Sequence, residues 1–150
     1  MAKENYDSLK LENQLCFPLY ACAKEIVRKY KPLLDELDLT YTQYIVMMAL
    51  WEHESMNVKE LGEVLYLDSG TLTPVLKKLE SKGYISKARS GDDARGVIIT
   101  VTGEGMKLRD RMVKVPGAMG GCVALSEKEA TQLYNLLYKI LGHFDQIDEA

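Results

Sequence analysis

Apolar residues recur at every third or fourth position along several stretches of the chain, and this spacing predicts helices. The first stretch covers residues 11–31, where Asn13 is a candidate cap. Pro18 fits best in the first turn, because backbone N–H groups are unpaired there. Pro32 is expected to end or bend the same helix.

Three more helices are predicted in the first half of the chain. Thr40 opens one over residues 41–51, which is apolar nearly all round and is therefore expected to be buried. Two amphipathic helices follow over residues 57–67 and 71–82, joined by a short turn and stopped by Gly83. The inward positions of the first of these are expected to be Val58, Leu61, Val64 and Leu65.

The second half of the chain begins with two β-rich runs, residues 84–90 and 97–102, on either side of a polar tip with two glycines. This arrangement predicts a β-hairpin. A helix starts near Glu104 and is expected to be interrupted at Pro116. After a glycine-rich loop, Ser126 begins a capping-box sequence and a last amphipathic helix. Its apolar face comprises Leu133, Leu136, Leu137, Ile140, Leu141 and Phe144.

Composition excludes several classes of protein. A hydrophobic fraction of 47% in 150 residues is typical of one globular domain and rules out wholesale disorder. No apolar run approaches the roughly 20 residues of a membrane span, and the polar start is unlike a signal peptide, so a cytoplasmic location is expected. Three cysteines in a reducing compartment argue against a disulfide framework. Metal-ligand spacings and the common nucleotide and hydrolase motifs are absent, which predicts no cofactor and no enzyme activity.

The order of elements points to DNA. Two short helices and a tight turn, followed by a basic hairpin, predict a winged helix-turn-helix in a mainly α fold with a small β wing (α+β). The second helix is expected to touch base edges with its first residues and phosphates with its later ones, and Arg95 is expected to enter the minor groove. The candidate DNA-binding residues are Ser69, Thr71, Thr73, Lys77, Lys78, Lys82, Arg89 and Arg95.

The charge distribution supports this interpretation. The formal net charge of −3 alone argues mildly against a nucleic-acid partner. However, residues 69–114 hold 10 Lys and Arg against 5 Asp and Glu, a net charge of +5, and the remainder holds 9 against 17, a net charge of −8. A solvated helix face would also explain the lysines, but it would not explain the basic hairpin that comes after them.

Several motifs resemble the MarR family of dimeric repressors. They are Trp-Glu-His-Glu at 51–54, the stretch 66–80 with Leu-Asp-Ser-Gly-Thr-Leu-Thr-Pro, and the wing pattern at 93–102. Within that family, the Cys-bearing segment 11–17 and the stretches 30–34 and 39–44 resemble the branch that senses organic hydroperoxides, OhrR. The resemblance covers residues 8–145, and it departs from the family's pattern at Pro18, Thr42 and Gly96.

The resemblance implies an organisation for the whole chain. Residues 1–150 would form a single MarR-type domain, with a DNA-binding lobe over 55–115. Residues 8–40 and 116–150 would supply the dimerisation helices of a homodimer, which would bind double-stranded operator DNA in two half-sites.

Cys16 is the candidate redox sensor. A thiolate is the nucleophile that attacks a peroxide, and the positive end of the first helix would favour that anion. The resemblance implies that Tyr30 and Tyr41 hydrogen-bond this sulfur across the dimer interface. It also implies a disulfide between Cys16 and Cys122 of the other subunit. Alternatively, Cys122 is an incidental loop residue and a small cellular thiol resolves the oxidised Cys16.

Cys22 is interpreted as a packing residue. It lies six positions after Cys16, about 240° around a helix, so the two cannot pair within an intact helix.

The predicted function is therefore transcriptional repression relieved by an organic hydroperoxide as oxidant. Two alternatives stay open at this point. One is a MarR-type repressor released by a non-covalent phenolic ligand, and the other is a thiol peroxidase that uses Cys16 catalytically.

Overall fold

A computed structural model describes residues 5–91 and 96–148. Two short 3₁₀ turns, Tyr6–Leu9 and Leu11–Asn13, precede the first helix. The helices are α1 (Cys16–Asp35), α2 (Tyr41–His53), α3 (Val58–Leu65), α4 (Ser69–Ser81), α5 (Gly103–Met112), α6 (Val115–Met119) and α7 (Glu127–Asp148). The strands are β1 (Ser55–Asn57), β2 (Ile85–Arg89) and β3 (Val97–Val101). The prediction of a mainly helical chain with a small β wing is confirmed.

Helix α1 differs from its prediction at both ends. It begins at Cys16 with Leu15 as its cap residue, so the assignment of Asn13 as the cap is wrong. Asn13 belongs to a 3₁₀ turn, and its side-chain amide donates to the Asp7 carbonyl at 2.7 Å. Pro18 lies in the first turn, as predicted. Pro32 does not end the helix, which continues for another turn because the buried Leu34 anchors that turn in the core.

Helix α2 lies in the middle of the core, as its continuous apolar sequence predicted. Thr40 and Gln43 form a capping box at its start, where the Thr40 hydroxyl accepts from the Gln43 N–H and the Gln43 side chain accepts from the Thr40 N–H. Gln43 is the buried polar residue of the described core. The buried side chains around α2 come from α1, α3, α4, the sheet and α5, and include Leu34, Leu61, Leu72, Leu79, Ile99 and Leu108.

Helices α3 and α4 form the helix-turn-helix. Asn57 caps α3 and Asp68 caps α4, each through a side-chain oxygen that accepts from a backbone N–H. Leu61 is buried, but Val64 is 52% exposed, so the prediction that Val64 faces inward is wrong. Helix α3 is only eight residues long. Its inward-facing side ends with the half-buried Leu65, and Val64 does not belong to it.

The wing is a three-stranded antiparallel sheet in the order β1-β3-β2. The predicted hairpin is confirmed, with Ile85 opposite Val101 and Arg89 opposite Val97. Strand β1 was not predicted, because three residues are too few to show an alternating pattern. It pairs with β3 through Ser55 opposite Thr100, and thereby attaches the wing to the end of α2. The hairpin tip, including Arg95, lies outside the described residues.

The helix that comes after the wing breaks earlier than predicted. It stops at Met112, and the short helix α6 then contains Pro116 at its second residue. Proline is tolerated there because the first N–H groups of a helix have no intrahelical partner, so Pro116 starts a helix instead of interrupting one.

The chain divides into two compact units, residues 1–119 and 120–150. The second unit contains α7, which starts with the predicted capping box between Ser126 and Glu129. Apolar side chains along α7 are exposed, among them Leu133, Leu136, Leu137, Ile140 and Phe144.

Gly105 provides a test of how α5 packs on the wing. A Cβ added there would lie 2.2 Å from the Tyr84 carbonyl oxygen and 2.7 Å from a Val101 methyl, whereas one added at Gly103 would meet nothing within 4 Å. We expect Gly105→Ala to lower the free energy of unfolding by about 2 kcal/mol or more, through overpacking. Gly103→Ala is the matched control and should change it by less than about 1 kcal/mol. Urea denaturation measures both, and equal effects would contradict the packing described.

Candidate DNA-binding surface and thiol site

Helix α4 is anchored on one side and open on the other. Leu72, Leu76 and Leu79 are buried, so the opposite side of the helix is left to solvent. Five of the predicted DNA-contacting residues are exposed on α4, namely Ser69, Thr71, Thr73, Lys77 and Lys78. We call these five residues the α4 surface.

The start of α4 is organised by Asp68. Its carboxylate accepts from the Thr71 N–H at 2.7 Å, and these hydrogen bonds with Thr71 lower the pKa of Asp68 below its usual value. Asp68 is thus ionised at neutral pH beside the exposed first turn. Thr73 is also engaged, because its hydroxyl donates to the Ser69 carbonyl at 2.7 Å.

Lys82 occupies a different environment from the other candidate lysines. Its ammonium donates to the Asp38 carbonyl and forms an ion pair with the Asp38 carboxylate at 3.2 Å. The Gln43 side-chain oxygen is 3.5 Å away, and only 25% of the Lys82 side chain is exposed. Lys82 therefore connects the end of α4 to the α1–α2 turn, and we expect this structural role in place of the predicted phosphate contact.

In the wing, Arg89 is exposed at the last residue of β2. Lys87 is less accessible and lies 3.9 Å from Glu80 of α4. Arg95, the predicted minor-groove residue, falls on the tip that the structure does not describe.

The three cysteines are free thiols and all are exposed. Cys16 is the first residue of α1, and its cap residue Leu15 makes no side-chain hydrogen bond to the helix. The prediction that Cys16 lies at a helix N-terminus is confirmed. Cys22 is on α1 as well, whereas Cys122 belongs to the second compact unit.

Three tyrosines form a cluster where α1 meets α2. The ring centroids of Tyr30 and Tyr41 are 5.1 Å apart, and Tyr44 lies 5.8 Å from Tyr30 and 6.2 Å from Tyr41. Tyr44 was missed from the sequence because the run 41–51 is apolar nearly throughout, and it proves to be 3% exposed.

Burial, and next the nearby Tyr30, raise the pKa of both Tyr41 and Tyr44. A raised pKa keeps the phenol protonated, so the Tyr41 hydroxyl stays available as a hydrogen-bond donor at neutral pH.

Within one chain, Cys16 and this tyrosine cluster are far apart. Cys16 and Tyr30 lie 14 residues apart on one helix, which places their backbones about 21 Å apart along its axis. A tyrosine side chain does not span that distance, so the structure does not bring Cys16 and Tyr30 of the same chain together.

Metal-ligating side chains do not cluster in the described part of the chain. Among residues 5–91 and 96–148, no group of three or more His, Cys, Asp and Glu side chains is arranged to hold a metal ion. None of the helices within these ranges has the length and apolar character needed to cross a bilayer.

Comparison with known protein families and sequences identifies related regulators. Residues 28–112 match the family model described as transcriptional regulator SarA/Rot. The organic hydroperoxide resistance transcriptional regulator of Bacillus subtilis is 48% identical over 144 residues, which cover 96% of this chain and 98% of that protein. The HTH-type transcriptional regulator SarZ of Staphylococcus aureus is 42% identical, with 93% and 95% covered.

Solved structures show the same fold in complex with DNA. Reduced AbfR of Staphylococcus epidermidis bound to DNA superposes with a TM-score of 0.75 at 32% identity, covering 92% of this chain and 96% of that one. A mutant MarR of E. coli in complex with operator DNA gives a TM-score of 0.79 at 25% identity, covering 93% and 99%.

Replacing Lys82 by methionine separates a structural lysine from a phosphate-binding one. We expect Lys82→Met to lower the free energy of unfolding by about 1–2 kcal/mol, because charged hydrogen bonds to Asp38 and Gln43 are lost. The matched control Lys78→Met should stay within about 0.5 kcal/mol. Urea denaturation measures both.

The salt dependence of DNA binding should change in Lys78→Met and not in Lys82→Met. Lys78→Met should reduce the slope of log affinity against log salt concentration by about one, and Lys82→Met should leave that slope unchanged. Fluorescence anisotropy over a salt series measures it. If Lys82→Met reduces the slope but not the stability, Lys82 contacts a phosphate instead.

Proposed function

Because the chain belongs to the MarR family of transcriptional regulators, in its organic hydroperoxide regulator branch, we propose that it is a homodimeric repressor released from its operator by oxidation of Cys16. Members of the family are regulators of transcription and not enzymes, so the thiol peroxidase alternative is set aside. The proposal concerns the oxidation of Cys16, the disulfide and the residues that take part in both.

The separation of Cys16 from Tyr30 is the observation that carries the proposal. Cys16, Ala23 and Tyr30 are spaced by seven residues, so they share one face of α1 with a drift of only about 20° per step. Two antiparallel α1 helices that cross at Ala23 would place Cys16 beside Tyr30 of the partner subunit. The small, exposed Ala23 permits a close approach of the two helices.

Exposed apolar surface supports the same assembly. Leu15, Phe17 and Tyr20 on and before α1 are 41–75% exposed in the isolated chain. Apolar side chains along α7 are exposed as well. An apolar surface of this extent is typical of a protein–protein interface, and a second copy of the chain would cover both helices symmetrically.

The chemistry at Cys16 would proceed in two steps. The thiolate attacks the O–O bond of the hydroperoxide, so that the sulfur is oxidised to a sulfenic acid and the remaining alkoxide leaves as an alcohol after protonation. The phenol O–H groups of Tyr30 and Tyr41 are suited to donate hydrogen bonds to the reduced sulfur. Cys122 of the partner subunit then attacks the sulfenic sulfur, and water leaves as the disulfide forms.

On DNA, the α4 surface would enter the major groove of each half-site. Ser69, Thr71 and Thr73 would face base edges, and Lys77 and Lys78 would face phosphates. Arg89 in the wing would add a phosphate contact, and Arg95 at the tip is proposed for the minor groove.

Replacing Cys16 by serine tests the sensor. Reduced Cys16→Ser protein should bind operator DNA with unchanged affinity, because serine preserves the size of the side chain, but cumene hydroperoxide should no longer release it. Cys22→Ser is the matched control and should be released like the unmodified protein. Anisotropy of labelled operator DNA measures both. Release of Cys16→Ser by peroxide would contradict the proposal, and release by a phenolic acid without oxygen would favour a non-covalent ligand.

Replacing Cys122 by serine tests the resolving step. Peroxide should convert the unmodified protein into a covalent dimer on a non-reducing gel, and Cys122→Ser should remain monomeric on that gel. Mass spectrometry of the digested dimer should find Cys16 linked to Cys122. A covalent dimer that persists in Cys122→Ser would show that another thiol resolves Cys16.

A further inference from the structure

The first turn of α4 has an unusual balance of hydrogen-bond donors and acceptors. This inference rests on the proposed function, in which the α4 surface enters the major groove. The balance of donors and acceptors decides which bases that surface can read. In that groove, adenine and cytosine present an amino donor, whereas guanine and thymine present carbonyl acceptors.

The hydroxyl proton of Thr73 is already used within the helix. Its oxygen lies 2.7 Å from the Ser69 carbonyl, which has no proton of its own, so the hydroxyl must be the donor. Thr73 is exposed, and its oxygen keeps lone pairs that point away from this bond. Toward a base, Thr73 is therefore an acceptor.

The backbone of Thr71 is engaged in the same part of the helix. Its N–H donates to the Asp68 carboxylate at 2.7 Å. N–H groups at a helix N-terminus often bind a DNA phosphate, and the Thr71 N–H is already used in this way by Asp68.

Pro74 adds another acceptor to the turn. Proline has no N–H, so the carbonyl of Gly70, four residues earlier in α4, lacks its usual intrahelical donor.

We propose that the start of α4 reads an exocyclic amino group, N6–H of adenine or N4–H of cytosine, through the hydroxyl oxygen of Thr73. Thr73 rejects guanine O6 and thymine O4 at that position, because two acceptors would then face each other without a proton. Lys77 and Lys78 supply the phosphate contacts from further along the helix.

The experiment starts from a duplex pool with a randomised centre, from which the reduced, full-length protein selects its site. In that site, each adenine is replaced in turn by purine, which lacks the 6-amino group, or by 7-deazaadenine, which lacks the N7 acceptor. Each cytosine is replaced by 2-pyrimidinone, which lacks the 4-amino group. Anisotropy titrations then give the affinity for every duplex.

We expect removal of an amino group to weaken binding about tenfold at one position of each half-site. Removal of N7 at the same position should have little effect. In Thr73→Val, this amino-group penalty should disappear. Thr131→Val is the matched control, since its hydroxyl donates to the Glu127 carbonyl at 2.9 Å in the same way, but on α7. This control should keep the full penalty.

The outcomes separate this inference from the proposed function. If no duplex is selected from the pool, the proposed DNA binding fails. If a duplex is selected but loss of N7 weakens binding and loss of the amino group does not, Thr73 donates to the base and the inference is overturned while DNA binding stands. A penalty that survives in Thr73→Val also overturns the role of Thr73.

Discussion

The burial of α2 is the constraint on which the other elements depend. A helix that is apolar on nearly every side must be surrounded, and here α1, α3, α4, the sheet and α5 surround it. Its ends carry the polar contacts that orient these neighbours. At the start, Gln43 faces Lys82 of α4, and at the end the Trp51 indole donates to the Gly105 carbonyl at 2.9 Å. Helix α4 and the wing are therefore both packed against the buried helix α2.

The same helix carries two members of the tyrosine cluster. Tyr41 and Tyr44 project from the first turns of α2, and Tyr30 reaches them from α1. In the same turn of α2, Gln43 accepts from the Thr40 N–H and faces Lys82. A displacement of α1 against α2 at the tyrosines would thus act on the contact that holds the end of α4, and this gives the proposed sensor a short physical route to the proposed DNA surface.

This proposed route requires a difference in free energy between two arrangements of the dimer. Oxidation can lower DNA affinity only as far as the oxidised sulfur stabilises one arrangement of the dimer over the other. Loss of phenol hydrogen bonds to a thiolate supplies a modest difference, whereas a disulfide between subunits fixes a distance and supplies a larger one. A resolving cysteine would therefore make the proposed switch more complete than a sulfenic acid alone.

The sequence predicted those parts of the fold in which local and long-range preferences agree. Thr40 with Gln43, and Ser126 with Glu129, are caps that need only their own helix, and the structure contains both. Prediction failed where tertiary contacts decide. Pro32 stays helical because Leu34 is buried beyond it, and β1 exists only because β3 pairs with it. The position of Lys82 depends on Asp38, 44 residues earlier, and no local pattern reports that contact.

The charges and hydrogen bonds of the α4 surface suggest different DNA contacts for the two parts of this helix. Residues 69–114 carry a net charge of +5, yet the first turn of α4 begins with the ionised Asp68, which would be unfavourable if that turn faced phosphates. This repulsion is avoided if the first turn faces base edges while Lys77 and Lys78 face the phosphate backbone of the DNA. The Asp68 carboxylate then lies away from the phosphates while it accepts from the Thr71 N–H, and the lysines supply attraction where the phosphates lie. The acidic cap is therefore consistent with a turn that selects bases and with a helix whose affinity comes from its later residues.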